Sequence, residues 1–220
     1  MTGQTGTTRQ TGTKSHLRRN LLLALALVAA AALAVFWIFF RYEVFPKRFD
    51  AVEPGLVYRS GQISPRLIRE TLAQNDIRVV IDLQSETDEP AQQAERQAVQ
   101  DLGIDYLRLP LGGGGIGDPH LYAIAISTIA TARGGGDPVL VHCAGGARRS
   151  GGVIAMYELL VRGKSVEEAY EQLDRYGSPP VADTPLVAFL NENMHGIASE
   201  LVAMGVIAEV PDPLPRFPTP

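Results

Sequence analysis

The feature that most constrains this chain is an apolar run close to its N-terminus. The run extends over twenty residues, from Leu21 to Phe40, without a charged side chain. Such a run can cross a bilayer core of roughly 30 Å at about 1.5 Å per helical residue. Aromatic residues at its end, followed by Arg41, are typical of the membrane–water boundary. The sequence therefore predicts a single-pass transmembrane anchor over residues 21–41, with membrane contact through residues 21–40.

Two other interpretations of this run are a buried core helix and a cleaved signal peptide. The run's length and terminal position disfavour a core helix. Small residues around Ala34 offer a cleavage site, but the apolar run continues to Phe40, beyond the usual apolar segment of a signal peptide. Lys/Arg counts near the two ends of the run tie, and the N-terminal flank has no acidic residue. That flank favours a cytoplasmic N-terminus and an extracytoplasmic, for example periplasmic, domain.

The segments outside the apolar run divide the rest of the chain. Residues 1–20 are rich in Thr, Gly and Gln and predict a disordered tail. Residues 209–220 are proline-rich and predict a frayed C-terminal tail, which leaves residues 42–208 as the globular domain.

Charge and cysteine content exclude several classes of protein. Residues 1–41 hold five of the 20 basic residues and none of the 24 acidic ones, so the remainder carries 15 basic against 24 acidic residues, a net charge of −9. A body this acidic lacks the electrostatic footprint of a nucleic-acid-binding protein. The single cysteine excludes an internal disulfide framework and a structural zinc site made of several thiolates.

Short β-branched runs alternate with helical patterns through the domain. The strand-like runs lie at 78–83, 106–109 and 139–142, and the helical segments at 65–75, 89–102, 119–132, 151–161, 165–176 and 184–204. The helix over 89–102 is mostly polar and is expected to be solvated. This alternation predicts an α/β fold, with a mainly parallel central sheet flanked by helices and preceded by the transmembrane helix.

The only cysteine lies in the stretch HCAGGARRS, residues 142–150, where a predicted strand turns into a helix. The N–H groups of such a loop and the positive end of the helix dipole favour an anion, and hence a thiolate. Arg149 offers a planar fork for two phosphate oxygens, and Ser150 can donate a hydrogen bond to the sulfur of Cys143. Gly145, Gly146 and Gly151 allow a close approach by a tetrahedral anion. The alternative is a buried structural cysteine.

This stretch resembles the HCxxGxxR[S/T] signature of cysteine-dependent protein tyrosine and dual-specificity phosphatases. The segments VEPGLVYRSGQIS, IRVVIDLQSE and LGIDYLRLPL are similar to elements of small bacterial and atypical dual-specificity phosphatases, so that the resemblance covers about residues 48–195. It implies a phosphatase-type fold and a cysteinyl-phosphate intermediate, without a metal or another cofactor. The roles that it implies are nucleophile for Cys143, phosphoryl binding for Arg149 and thiolate release for Ser150. His142 would buttress the loop and help to keep the sulfur ionised, and the phosphate would be bound by Ala144, Gly145, Gly146, Ala147 and Arg148.

The general acid is the point at which this chain departs from the family pattern. Many relatives carry an aspartate shortly after a segment like Leu109-Pro110-Leu111, where this chain has four glycines, residues 112–115. Asp118, at the far end of that loop, is the candidate acid, provided that the loop folds over the site. Its other interpretation is the N-cap of the helix that starts at Pro119, and the two roles are compatible. Asp105 is a less favoured candidate.

The substrate is predicted from charge. The loop offers one extra cation, Arg148, and the domain is acidic, which favours a singly phosphorylated substrate such as a phosphotyrosine protein. A lipid or inositol phosphate is an alternative because the anchor would hold the site near the membrane. A phosphate-binding pseudophosphatase or scaffold is a further alternative, supported by the missing aspartate. Persulfide or arsenate chemistry is disfavoured because the chain lacks a second, resolving cysteine.

Overall fold

The computed structural model describes residues 12–176 and 185–219, and the chain divides into two units at residue 44. The first unit consists of helix α1, Gly12–Val44. Its span Arg18–Ile38 has a mean hydropathy of 2.8 and is the one helix among the described residues with the length and composition of a membrane span. A signal sequence near an N-terminus has the same properties. Residues 12–20 of the predicted disordered tail are helical, and residues 1–11 lie outside the described residues.

The second unit contains a five-stranded sheet in the order β1-β2-β5-β3-β4. The strands are β1 Asp50–Glu53, β2 Val57–Gly61, β3 Val79–Asp82, β4 Asp105–Arg108 and β5 Val139–Cys143. Strand β1 is antiparallel to β2, and all other pairs are parallel. The predicted α/β fold with a mainly parallel sheet is confirmed.

Helices cover both faces of this sheet. They are α2 Ile68–Gln74, α3 Pro90–Leu102, α4 Pro119–Gly135, α5 Arg148–Leu160, α6 Val166–Asp174 and α7 Leu186–Ala203. The larger core lies under α4, α5 and α7, and the smaller core under α2 and α3. Strand β5 contributes to both cores by alternation, since Leu140 packs in the smaller core and Val141 in the larger one.

Strand alternation also separates the two residues at the end of β5. Cys143 belongs to the larger core, whereas His142 points to the side of α3. In the parallel register, His142 lies opposite Ser60 of β2 and Asp82 of β3. The carboxyl ends of β2, β3 and β5 therefore lie next to one another, and α/β folds place their ligand sites at the carboxyl ends of the strands.

The proline-rich C-terminus is held on the domain. Phe217 is 2% exposed, its N–H donates to Asn191 Oδ1 at 2.8 Å, and its carbonyl accepts from Asn191 Nδ2 at 3.0 Å. The expectation of a frayed end is wrong at this residue, because Phe217 is buried in the larger core, Val210 and Leu214 pack against that core, and Asn191 pairs with the backbone of Phe217.

Candidate active site

The predicted cradle lies where β5 ends and α5 begins. Helix α5 starts at Arg148, and Ala147 at its N-cap position supplies no side-chain hydrogen bond. By contrast, the first turns of α4 and α6 are capped by Asp118 and Ser165. The first N–H groups of α5 thus remain available to an anion, and the positive end of the helix dipole favours an anion at the same place.

The sulfur of Cys143 lies at the bottom of this cradle. Its side chain is 2% exposed, the N–H of Gly146 donates to Sγ at 3.2 Å, and Ser150 Oγ lies 3.7 Å from Sγ. Burial by itself raises the pKa of the Cys143 thiol. The N–H and hydroxyl groups of Ser150, the charge of Arg149 and the N–H of Gly146 outweigh burial, so that the net effect is a lowered pKa. The site therefore favours the thiolate.

A cavity of about 170 Å³ opens onto this sulfur. Its lining is formed by Arg48, Gly113, Cys143, Gly145, Ala147, Arg148, Arg149 and Tyr176. Four predicted phosphate-binding residues thus share the cavity with the cysteine, whereas Ala144 and Gly146 lie outside its lining. Nη1 of Arg149 donates to the carbonyl of Leu83 at 3.2 Å, which holds the guanidinium at the end of β3.

Three basic side chains from outside the loop donate hydrogen bonds to the carbonyls of four consecutive loop residues. The bonds run from Lys47 Nζ to Ala144 (2.9 Å), from Arg48 Nη1 to Gly145 (2.8 Å), and from Arg59 Nη2 to Gly146 (3.2 Å) and Ala147 (3.4 Å). We call these three residues the basic clamp. In a trans peptide the C=O and the next N–H point in opposite directions. Carbonyls held outward therefore turn the loop's N–H groups toward the cavity.

Arg59 is the most deeply buried member of the basic clamp. Its side chain is 0% exposed, and it also donates to the backbone and side-chain oxygens of Gln172 at 2.7 and 3.0 Å. Among the described residues no carboxylate lies within ion-pair distance of it. Burial lowers the pKa of Arg59 to about 10, which leaves the guanidinium charged at neutral pH. A positive charge is thereby fixed behind the phosphate loop.

His142 lies on the opposite face of β5, beside two carboxylates. Its Nε2 is 3.1 Å from Glu95 Oε1 and 3.8 Å from Asp82 Oδ1, and all three side chains are at most 1% exposed. Burial alone lowers the pKa of His142. The charges of Glu95 and Asp82 act in the other direction and raise it to about 9. The imidazole is therefore charged at neutral pH.

Other donors satisfy Asp82. It accepts from the N–H of Gln84 at 2.9 Å, from the hydroxyl of Tyr106 at 2.7 Å and from Nε of Arg108 at 3.1 Å. Ligand atoms of Asp82, Glu95 and His142 lie within 4.8 Å of one another, a spacing that also suits a metal ion. Because donors from Gln84, Tyr106 and Arg108 already occupy both carboxylate oxygens of Asp82, we interpret this group as a buried ion cluster rather than a metal centre.

Sequence reasoning missed Glu95. The helix over 89–102 was expected to be solvated, and this expectation is wrong for its inner face, where Glu95 is 1% exposed. Ala98 and Val99 follow three and four residues later and are also buried. Glu95 thus continues the apolar stripe of α3, and this helical spacing was the signal that could have located it. The basic clamp had no comparable signal, because each member meets the loop through tertiary contacts alone.

Asp118 lies outside the cavity lining. Its carboxylate accepts from the N–H of His120 at 2.9 Å and caps α4, which is the alternative role that the sequence left open. The loop before it reaches the cavity at Gly113. This loop is closed by a hydrogen bond from Gly112 N to Ile116 O at 2.9 Å, and the hydroxyl of Tyr122 donates to Gly115 O at 2.6 Å.

Asp105 lies at the amino ends of the strands, opposite the end that carries Cys143. Val79 pairs with both Asp105 and Val139, and Val139 precedes Cys143 by four residues on β5. At about 3.3 Å per residue, Asp105 is displaced from the cysteine by roughly 13 Å along the strands. It lines a separate cavity of about 460 Å³ between β4 and α4. This placement removes Asp105 as a candidate acid.

A buried cysteine in an N–H cradle, between a parallel strand and an uncapped helix that carries an arginine, is typical of cysteine-based phosphatases. Comparison with protein families narrows this class. The model of the family described as "Dual specificity phosphatase, catalytic domain" matches residues 62–193, more than half of the chain. The chain therefore belongs to the dual-specificity phosphatase family, as the resemblance implied. All three members of the basic clamp precede the matched region.

Solved structures share the fold at low sequence identity. TpbA of P. aeruginosa is 21% identical with a TM-score of 0.54, over 71% of this chain and 96% of TpbA. The core catalytic domain of the PP-IP phosphatase SIW14 from S. cerevisiae is 16% identical with a TM-score of 0.59, over 74% and 95%. Human DUSP28 is 20% identical with a TM-score of 0.52, over 72% and 99%. A comparison with curated protein sequences finds no match.

Proposed function

We propose that this protein is a membrane-anchored phosphatase that hydrolyses phosphate monoesters through a cysteinyl-phosphate intermediate. The observation that carries the proposal is the environment of Cys143. Its buried sulfur has a lowered pKa and lies in a loop whose carbonyls are held outward by the basic clamp. A preorganised ring of N–H donors of this kind stabilises the charge that develops on a phosphoryl group in the transition state.

In the first step, the thiolate of Cys143 attacks phosphorus, an S–P bond forms, and the bond from phosphorus to the ester oxygen breaks. Arg149 and the N–H groups of the loop bind the equatorial oxygens of the phosphoryl group. The leaving oxygen takes a proton from the general acid, for which we retain Asp118. Asp118 can serve only if the loop over 112–117 moves toward the sulfur, since its carboxylate caps α4 in this structure.

In the second step, a water molecule attacks phosphorus while the S–P bond breaks and inorganic phosphate forms. The water's proton passes to the carboxylate of Asp118, which restores the acid for the next cycle. Ser150 Oγ lies 3.7 Å from Sγ and stabilises the departing thiolate by hydrogen bonding. His142 supports the loop from the other face of β5.

Phosphotyrosine proteins remain the first candidate substrates, and a more highly charged phosphate ester is the second. The first candidate was inferred from a loop with one extra cation, Arg148. Arg48 lines the same cavity, with its guanidinium 5.5 Å from the centroid of the Tyr176 ring. With Arg149, three arginines and no carboxylate line the cavity among the described residues, and this favours a substrate that carries additional negative charge.

The membrane location is part of the same proposal. We infer a single-pass anchor over residues 21–41, with the catalytic domain, residues 42–208, and the C-terminal segment 209–220 outside the cytoplasm. The length and composition of α1 support the anchor, and the N-terminal flank without acidic residues supports the orientation. A phosphate-binding scaffold without turnover is the competing function, and its support is the position of Asp118 at the helix cap.

The test is hydrolysis by the full chain in detergent micelles, with Cys143→Ser as the matched inactive variant. We expect turnover of para-nitrophenyl phosphate and of a phosphotyrosine peptide by the wild type, and background rates from Cys143→Ser. An ester with two phosphates, assayed in parallel, separates the two substrate classes by kcat/KM. A wild type that binds vanadate but hydrolyses none of these esters would establish the scaffold instead.

A further inference from the structure

Glu95 is the one buried acid of the ion cluster whose charge depends on a single partner. Asp82 receives three hydrogen bonds besides its contact with His142. Glu95 has Nε2 of His142 at 3.1 Å as its ion-pair contact, and among the described residues neither Oε2 of Glu95 nor either ring nitrogen of His142 has a hydrogen-bond partner. A buried carboxylate without a cation is costly, so that Glu95 and His142 are stable when both are charged.

The position of His142 connects this pair to the nucleophile. His142 and Cys143 are neighbours on β5, and their side chains lie on opposite faces of the sheet. A cation on the α3 face therefore lies directly beneath the sulfur, within the low-dielectric interior where charges interact over longer distances. No solvent separates the two groups, since both side chains are at most 2% exposed.

We propose that Glu95 is a positioning residue that keeps the His142 imidazole protonated beneath Cys143 and thereby maintains the thiolate at neutral pH. This proposal rests on the phosphatase function inferred above, but it concerns the ionisation of the sulfur and not the identity of the substrate. Glu95 acts through His142 and does not touch the cavity that opens onto the sulfur.

The surrounding charges determine whether loss of the Glu95 charge raises or lowers the pKa values of His142 and Cys143. The charged and titratable groups that face His142 and Cys143 are Glu95 from α3, Asp82 from β3, Tyr106 and Arg108 from β4, Arg59 from β2, Tyr122 from α4 and Arg149 from α5. Removal of the Glu95 charge takes away the larger of the two carboxylate contributions that oppose burial, so that the pKa of His142 falls. We expect the imidazole to lose charge at neutral pH and the pKa of Cys143 to rise in consequence.

The single cysteine allows this ionisation to be measured without a substrate. The rate of iodoacetamide alkylation of the full chain, followed against pH, reports the thiolate fraction of Cys143 alone. We expect Glu95→Gln to move the midpoint of this curve upward by about one pH unit, at the lower end of the shifts that an adjacent charge produces. Glu95→Asp, which keeps a carboxylate, should restore most of the wild-type midpoint.

Glu89→Gln is the matched control, because Glu89 precedes the same helix, is exposed, and loses the same charge. An unchanged midpoint in folded Glu95→Gln, or an equal shift in Glu89→Gln, would overturn the proposal. The acid limb of kcat/KM should move together with the alkylation curve. If no ester is hydrolysed but the alkylation midpoint still shifts, the positioning role stands and the phosphatase proposal fails.

A second measurement needs no change at Glu95 and applies even if Glu95→Gln does not fold. The chain has four histidines, and NMR titration of their ring protons in micelles gives each pKa. His120 also has a raised pKa, from its contact with Glu200, so the titration is made on His120→Gln. We expect one remaining histidine to titrate near pH 9. If each remaining histidine titrates near the ordinary value of about 6.5 or below, His142 is mostly neutral at pH 7 and the proposal is wrong.

Discussion

Two loops rich in glycine approach the cavity, and they are stabilised in opposite ways. The phosphate loop, residues 143–150, is held from outside by the basic clamp. The glycine loop, residues 112–117, is held by its own backbone, with two hydrogen bonds between its members and one from Tyr122. The first loop therefore depends on distant side chains, whereas the second depends mainly on local geometry.

The helices that follow these loops differ in how their first N–H groups are satisfied. Asp118 caps α4, so that the first turn of that helix is satisfied by the chain itself. Helix α5 has no side-chain cap, and its N–H groups are available to a ligand. Glycines followed by a helix therefore yield an anion site only when the first N–H groups of the helix lack a partner from the chain.

The largest expected effect is the loss of the buried member of the basic clamp. Arg59→Met removes the donor to the carbonyl of Gly146 and to the two oxygens of Gln172, whereas the carbonyl of Ala147 keeps the N–H of Gly151 at 2.7 Å. Buried acceptors without partners cost about 1–3 kcal/mol each. We expect the free energy of unfolding to fall by about 3 kcal/mol and kcat to fall by at least about tenfold, measured by urea denaturation and para-nitrophenyl phosphate hydrolysis.

Arg69→Met is the control for that prediction, because Arg69 is exposed and pairs with Asp101 on the surface. A surface ion pair contributes at most about 1 kcal/mol, and turnover should not change. If Arg59→Met kept full turnover, the contrast between the two loops would lose its basis, since the phosphate loop would then hold its shape without the basic clamp.

A smaller effect is expected from alanine in place of glycine, and its size should differ between the loops. Gly146 has φ +69°, and a Cβ there would overlap Gly61 N and lie 2.8 Å from the carbonyl carbon of Ser60. A Cβ at Gly114 meets nothing within 4 Å. We expect Gly146→Ala to lower the free energy of unfolding by about 2 kcal/mol or more. Gly114→Ala should be neutral or stabilising by less than about 1 kcal/mol.

Thermal melts of both alanine variants check this difference. Equal destabilisation by the two substitutions would contradict the view that Gly146 is required for close backbone contact whereas Gly114 is not. A loss of turnover in Gly114→Ala without a loss of stability would indicate that the glycine loop moves during catalysis.

The smallest expected effect on stability concerns Asp118, whose two proposed roles can be separated. Asparagine caps a helix about as well as aspartate, whereas alanine costs about 1 kcal/mol. Asp118→Ala should therefore lower the free energy of unfolding by that amount, and Asp118→Asn should leave it unchanged. Both variants should slow hydrolysis of esters with poor leaving groups, by roughly a hundredfold if Asp118 is the acid, and should hardly affect para-nitrophenyl phosphate. Equal rates for wild type and Asp118→Asn on both ester types would exclude Asp118 as the acid.

Much of the site could be predicted because it is local in the chain. Cys143, Arg149 and Ser150 lie within eight residues. The change from strand to helix is enough to bring Arg149 to the same cavity as Cys143 and Ser150 to its sulfur, without information on the rest of the fold. The cap at Asp118 could be named as an alternative for the same reason, since an aspartate before a proline is a local signal for a helix start.

The partners of these residues could not be predicted. Arg59 contacts a loop that lies more than eighty residues later in the chain, and Glu95 meets His142 only because β3, β5 and α3 share one edge and one face of the sheet. Such contacts depend on strand order and register. A shift of one residue in β5 would exchange the faces of His142 and Cys143 and abolish both arrangements.

The sequence by itself determined an apolar N-terminal helix, an α/β domain, and a cysteine in an anion-binding loop, because each of these follows from periodicity or from neighbours in the chain. The tertiary structure alone decided which charges surround that cysteine: the basic clamp on one side of the loop and the carboxylates of Asp82 and Glu95 beneath it. The physical reason is that burial and the distance between charges, which set a pKa, exist only once the elements have packed.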